Sequence, residues 1–357
     1  MKILDRYILK KFVTTYVFVV LILSLVICVI DFTEKNDDFI KTGPTTGEIL
    51  IDYYLNLIPY YVNLLSPITV FIAVVFVTAR LASHVEITAM LSSGMSFARL
   101  LVPYLYGAVL IGGTIFYLIG WVIPDANEKR IAFELAYTRN PYYYDGRDVH
   151  MKVAPNVYAY LESYNNTIDV GYQFTLETIE DNRMLEKLKA KKITWQEEEE
   201  KWQLEHYVVH RFDSGLSVEQ GERLDTTLNM RPGDFGSDYG LHETMTIPEL
   251  DRFIAELRER GADNVPVYEI EKAQRYTYPF AILILTVIGA ILSGRKTREG
   301  AGLQIAIGFL LAFVYILFFL TSKSMAQGGA ISPYLAPWIP NFVFITIGGL
   351  LYRYVPR

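Results

Sequence analysis

Six long runs without a charged side chain punctuate the chain: Phe12–Ile30, Tyr53–Ala79, Leu100–Pro124, Tyr276–Gly294, Gly300–Ser322 and Ser324–Tyr352. Each reaches the roughly 17 residues a helix needs to cross about 30 Å of hydrocarbon. Between the third and fourth, residues 125–275 are polar and contain no such run. The pattern predicts an α-helical membrane protein of six transmembrane helices, three plus three. Its parts are an N-terminal membrane half over 1–124, an inserted domain over 125–275 and a C-terminal membrane half over 276–357. The first run is too long for a typical signal core and lacks a small-x-small cleavage site, so it is read as an uncleaved helix.

Within the insert, Asn156–Leu161, Tyr172–Leu176, Lys191–Trp195 and Trp202–Phe212 are rich in aromatic and β-branched residues and are separated by polar turn clusters, which predicts strands. Their alternation is imperfect, favouring a sandwich or open barrel over a flat sheet with one buried face. A short amphipathic helix follows over 247–260. Thr246 and Glu249 have capping-box spacing, Pro248 lies in the first turn, Gly261 supplies a stop, and Ile247, Leu250, Ile254 and Leu257 share one face. That helix either packs on a neighbour or acts as a lever between domain and bundle.

Charge adds orientation. The chain carries a net −6, but residues 125–275 hold 30 acidic and 19 basic side chains, so the remainder is positive. With the N-terminus inside, eleven basic residues lie in the short inner segments, among them Lys2, Arg6, Arg80, Arg99 and Arg295, against Lys35, Lys41 and Lys323 outside. This predicts cytoplasmic termini and a periplasmic insert. No basic face suits nucleic acid. After the first run, Asp31–Asp52 reads as an acidic outer loop, and Pro59 and Pro67 sit within the second.

The sequence lacks the chemistry of an enzyme. There is no phosphate-loop spacing, no Ser-His-Asp or Cys-His motif, and the sole cysteine, Cys28, lies in the first apolar run. His206 and His210, four apart in a strand-like run, would stand about 13 Å apart, too far to share a metal. No catalytic residue, metal or cofactor is expected. The apolar runs carry no ionisable residue near their centres, which argues against an ion-coupled carrier acting alone. Between runs two and three, Leu81–Met90 reads as a helix on the membrane surface carrying Glu86, broken at Ser92, Ser93 and Gly94. On pattern alone Glu86 is either solvated or the docking carboxylate for a basic residue of a cytoplasmic partner.

The opening Leu4-Asp5-Arg6-Tyr7-Ile8, Glu86 followed by Ser93 and Gly94, Pro279 at the start of the fourth run, and Ala336-Pro337-Trp338-Ile339-Pro340-Asn341 before the last helix together resemble the LptF/LptG permeases, more the G-type than the F-type. The resemblance implies a non-catalytic permease subunit of the lipopolysaccharide export ABC transporter in the inner membrane of a Gram-negative bacterium, with six helices and a periplasmic β-jellyroll. The implied partners are a cytoplasmic ATPase dimer, a second permease of the family, a periplasmic jellyroll bridge protein and lipopolysaccharide.

It further implies a coupling helix near 81–93, with Arg80, His84, Glu86, Ser93 and Gly94 at the ATPase contact. A lipid path between helices one and five would expose residues such as Val20, Leu23, Phe309, Tyr315 and Phe319, and a jellyroll groove would be lined from Tyr160, Phe174 and Trp202. One region departs from the pattern. Where G-type members carry several lysines after helix one, this chain has Asp31, Asp37 and Asp38, with Lys35 and Lys41 the nearby cations; either these two lysines meet the lipid phosphates, the partner permease supplies the charge, or the lipid has fewer phosphates. The competing reading is an envelope sensor or scaffold whose outer β-domain binds a ligand. A lipid-modifying membrane enzyme ranks third.

Overall fold

The computed structural model describes residues 3–140, 142–212, 217–262, 264–294 and 301–353. The chain divides into two compact units, one of Met1–Arg139, Gly240–Asp251 and Pro266–Arg357, the other of Asn140–Tyr239 and Arg252–Val265.

The first unit is helical. Helix α1 spans Ile3–Thr42; a π-helical turn over Glu48–Tyr54 leads into α2, Leu55–Ser83; α3 is Glu86–Ser92. Helix α4, Phe97–Tyr117, continues through a second π-helical turn into α5, Ile123–Tyr137. After the insert come α6, Leu241–Thr244, and α7, Ile247–Arg260, along which the chain passes between the units. They are followed by α8, Val265–Ser293, α9, Ala301–Gln327, and α10, Ile339–Arg353. Among the described residues, five stretches are long and apolar enough to cross a membrane: Ile3–Thr42, Thr46–Ser83, Phe97–Tyr137, Val265–Ser293 and Gly302–Gln327.

The bundle core is apolar and tightly interlocked. Ile8 and Phe12 of α1, Val70, Val74 and Val77 of α2, Leu100 and Tyr104 of α4 and Ile282 and Ile291 of α8 form one buried cluster. Gly107 permits a close approach, because a Cβ there would stand 2.5 Å from the Phe12 ring.

Three helices run further than hydropathy alone indicates. Residues 31–42, expected as an acidic loop, continue α1, since Asp31, Lys35 and Phe39 recur every four residues and face the bundle. Phe39 is buried against Tyr53 and Phe133, with ring centroids 6.1 Å from each. Helix α5 extends the third apolar run to Tyr137, and α8 begins at Val265, eleven positions before the fourth run. In these extensions Arg130, Glu134, Glu269, Glu271 and Arg275 are buried, while Asp125, Glu128 and Lys129 on the other side of α5 are exposed.

Among the described residues, the second unit is built on one six-stranded antiparallel sheet, not on two sheets. Strands β1 (Arg147–Ala154), β2 (Val157–Asn165), β3 (Val170–Glu180), β4 (Arg183–Gln196), β5 (Lys201–Arg211) and β6 (Ser217–Thr226) pair in sequence order. Asp181 and Asn182, both at positive φ, form the tight β3–β4 turn. The four predicted strands fall in β2 to β5; the polar edge strands β1 and β6 escaped the pattern. One face packs Leu161, Tyr164, Phe174, Ile193, Trp202 and Leu204 against Met230 and Phe235.

A row of irregularities crosses this sheet. Inward-facing residues occur three apart, at Leu161 and Tyr164, Gly171 and Phe174, Ala190 and Ile193, and Leu204 and Tyr207, where a regular strand would place them two or four apart. The ladders step from Tyr172–Lys192 to Phe174–Ala190 and from Lys192–Glu205 to Ala190–Tyr207, while Gln173 and His206 adopt positive φ of 52° each. The register is unchanged on either side, so each strand leaves one residue unpaired in line with its neighbours, a row of breaks that creases the sheet. They also account for the imperfect alternation in the sequence.

Candidate functional site

Two charge-bearing regions stand out in the helical unit. The first is the loop between α2 and α4. The expected continuous helix over Leu81–Met90 is two pieces: α2 runs to Ser83, and Val85 turns the chain at φ 64° before α3 begins at Glu86. A β-branched residue in the left-handed region is strained, at a cost of about 1–2 kcal/mol. Helix α3 then ends in a paired stop, with Gly94 N–H donating to Leu91 O (3.0 Å) and Met95 N–H to Met90 O (3.3 Å). Gly94 takes the left-handed position at φ 88°. Ser93 Oγ donates to Met90 O (2.7 Å), and the His84 ring Nδ1 lies 2.8 Å from Arg80 O. These contacts hold Arg80, His84, Ser93 and Gly94 in one short segment around α3, whose Ile87 is buried in the bundle.

Glu86 is shared with the start of α1. Tyr7 OH donates to its Oε2 (2.9 Å), Lys11 Nζ stands 3.6 Å from its Oε1, and Lys11 also donates to Tyr7 OH. One turn away, Arg99 Nη2 donates to Asp5 Oδ2 (2.8 Å). The Glu86 and Lys11 side chains remain 32% and 36% exposed. The carboxylate therefore has an internal partner and an open side.

The second region lies where the chain passes to and from the insert. Lys35 Nζ reaches Asp31 (3.2 Å) and Glu134 (3.3 Å) and donates to Tyr53 OH. Asp31 also accepts from Tyr53 (3.0 Å) and Tyr54 (3.2 Å). Arg130 bridges Glu134 (3.2 Å) and Glu243 (2.7 Å), with its guanidinium over the Tyr60 ring. Burial raises the Glu243 carboxyl above its ordinary value, against the pull of Arg130. Alongside, Arg275 binds Glu271 (2.9 Å) and the carbonyls of His242 and Met245.

This arrangement commits the charge of Lys35 within the chain. Lys41 and Asp37 are exposed, and Asp38 is half-buried. Sequence reading missed Tyr53, Arg130, Glu134 and Glu243 as members of the cluster; the signal available was the i, i+4 spacing of Asp31 with Lys35 and of Arg130 with Glu134.

The residues named for a lipid path differ in exposure. Val20 and Leu23 are half-buried on α1, and Phe309 is exposed on α9. Tyr315 is buried, donating to Asn341 Oδ1 (3.0 Å). With Phe319 it lines an apolar cavity of about 300 Å³ against Leu64, Ile68 and Ala281. In the sheet, Phe174 and Trp202 are buried in the packed core, Trp202 Nε1 donating to Met230 O (2.7 Å), whereas Tyr160 lies on the opposite face and donates to Asp148 (2.6 Å). Among the described residues no group of three or more His, Cys, Asp or Glu is disposed to hold a metal ion.

The sequence model of the family described as lipopolysaccharide export system permease LptF/LptG matches residues 6–354. The chain belongs to the LptF/LptG family. A search of curated proteins finds no match. The five apolar spans and the inserted antiparallel sheet are consistent with an LptF/LptG permease, and the match takes in both charge-bearing regions and the whole insert.

Proposed function

We propose that this chain is the transmembrane permease subunit of the ABC transporter that extracts lipopolysaccharide from the inner membrane and passes it toward the outer membrane. The observation that carries the reading is the family match over residues 6–354. In this reading α10, 15 residues following a 3₁₀ turn at Ala336–Trp338, is the sixth span. Both termini are cytoplasmic, as the basic loops favour. The creased sheet is the periplasmic jellyroll that hands lipid to a jellyroll bridge protein. The G-type assignment rests on Leu4–Ile8.

ATP hydrolysis resides on a separate cytoplasmic dimer. Helix α3 with the flanking Arg80, His84, Ser93 and Gly94 is its coupling segment, and the open side of Glu86 meets a basic residue of the ATPase. A second family permease covers α1 and α9. Support comes from their apolar windows, only 11% and 22% buried within the chain, against 67% in the second span. The lipid would enter beside these two helices, with Val20, Leu23 and Phe309 toward it and Tyr315 and Phe319 packed behind. Lys41 is the cation left for its phosphates, with Lys35 held in reserve by its carboxylates.

Purification in native lipid tests the reading. An ATPase, a second permease and lipopolysaccharide should co-purify, and hydrolysis should respond to lipopolysaccharide. Recovery of the chain with no ATPase would favour the sensor or scaffold. In a Cys28-free background, a single cysteine at Ser92 should react only with permeant thiol reagents and one at Asn166 with impermeant reagents from outside. Outside labelling at Ser92 would overturn the topology.

A further inference from the structure

The crease in the sheet has a second face. Because Leu188, Ala190 and Val209 face the packed core, Lys189, Lys191, His206 and His210 project from the opposite side. There they line a pocket of about 460 Å³ together with Tyr160, Glu162, Gln173 and Thr175. That volume falls in the range that holds small molecules.

The pocket's charge is unbalanced. Neighbouring lysines are neutralised across strands, Lys187 by Glu177 (2.5 Å) and Lys192 by Glu205 (3.2 Å). Lys189 faces Thr175 and Val208 across its ladders, and no ion pair involves Lys189 or Lys191 among the described residues. Glu162 is the one carboxylate in the lining. The two residues whose backbones are strained at the crease, Gln173 and His206, both turn into this pocket. Non-glycine residues held at positive φ concentrate at binding sites. Here they bring an amide and an imidazole beside the two unpaired ammonium groups.

We infer that the outer crease binds a phosphate- or carboxylate-bearing saccharide, its anion between Lys189 and Lys191 and its hydroxyls against Gln173, Thr175 and the histidines. The natural source rests on the export reading, in which a glycolipid headgroup travels past this sheet; the chemistry of the pocket does not.

The test uses the purified full-length chain and two ligands. Glucose 1,6-bisphosphate, followed by titration calorimetry, should bind saturably, and the double variant Lys189→Gln, Lys191→Gln should lose at least tenfold in affinity with an unchanged thermal midpoint. Lys152→Gln, outside the pocket, should change it by less than twofold, and Glu162→Gln should strengthen it severalfold. Lipopolysaccharide should displace the sugar bisphosphate. If it does not, while the lysine variant still loses binding, the site serves a soluble anion.

Absence of saturable binding, or equal binding by wild type and the lysine variant, would overturn the proposal. So would weaker binding by Glu162→Gln. These results separate from the export reading, which falls if no ATPase co-purifies whatever the crease binds and stands if hydrolysis remains lipopolysaccharide-dependent while the crease stays empty.

Discussion

The two charge-bearing regions of the helical unit solve opposite problems. At the insert end, Arg130 and Glu134 have side chains only 6% and 5% exposed and are locked into a chain of pairs from Asp31 to Glu243. At the loop end, Glu86 keeps about a third of its side chain in solvent and touches a tyrosine and a lysine of α1. Charges taken out of water must find partners inside, and removing one partner leaves the other stranded. A half-exposed carboxylate can exchange one partner for another at little cost, because water remains the alternative. The closed cluster is thus suited to fixing geometry, and the open pair to being regulated.

The sharpest way to break this contrast is Arg130→Met, which strands Glu243 and leaves Glu134 with Lys35. It should destabilise the folded chain by about 3–5 kcal/mol, read as a large fall in the thermal midpoint in detergent. A shift no greater than that of a surface lysine variant would mean the cluster is not structural.

At the other end, Glu86→Lys should leave the midpoint nearly unchanged. It should reduce ATPase recovery by tenfold or more, the equivalent of losing about 1.5–3 kcal/mol of charge-assisted hydrogen bonding, with Glu86→Ala intermediate. An acidic substitution of the facing basic residue on the ATPase should restore part of the loss, as a direct pair requires. Wild-type assembly with Glu86→Lys would show that the carboxylate is only solvated.

Lys35→Met probes the boundary between the two behaviours, since this lysine is 22% exposed but has two carboxylate partners. A loss of about 1–2 kcal/mol, below that of Arg130→Met, is expected, measured by the same unfolding assay. Tyr7→Phe should have the smallest effect. Removal of one half-exposed hydrogen bond costs about 0.5–1.5 kcal/mol at most, and ATPase recovery should persist. If Tyr7→Phe abolished coupling while leaving recovery intact, the contact with α1 would be part of the relay.

The limits of the sequence reading follow from the same physics. Helix α7 was legible because its determinants are local: Thr246 N–H and Oγ donate to Glu249 (2.8 and 2.7 Å), and Gly261 closes the far end at φ 69°. The apolar runs were legible because lipid demands length. The extensions of α1, α5 and α8 were not, because a run of Asp, Glu, Lys and Arg looks solvated until its partners are known, and Lys35 finds Glu134 across 99 positions. The sheet was legible in its central strands and blurred where Gln173 and His206 break the period of two. The position of Glu86 could be read from its loop; its contacts with Tyr7 and Lys11 could not, since nothing local pairs residues 79 and 75 positions apart.

Helix α1 contains neither glycine nor proline from Ile3 to Thr42, whereas α2 carries Pro59 and Pro67 and α4 carries Pro103. Bends in helices concentrate at such residues, so α1 is a stiff strut. Tyr7 and Lys35 are 28 residues apart on it, a distance of about 42 Å. An axial push or a twist delivered where Tyr7 meets Glu86 would therefore reach the carboxylates around Lys35 with little loss to bending, the movement being taken up where Ile8, Phe12 and Tyr16 pack on the bundle.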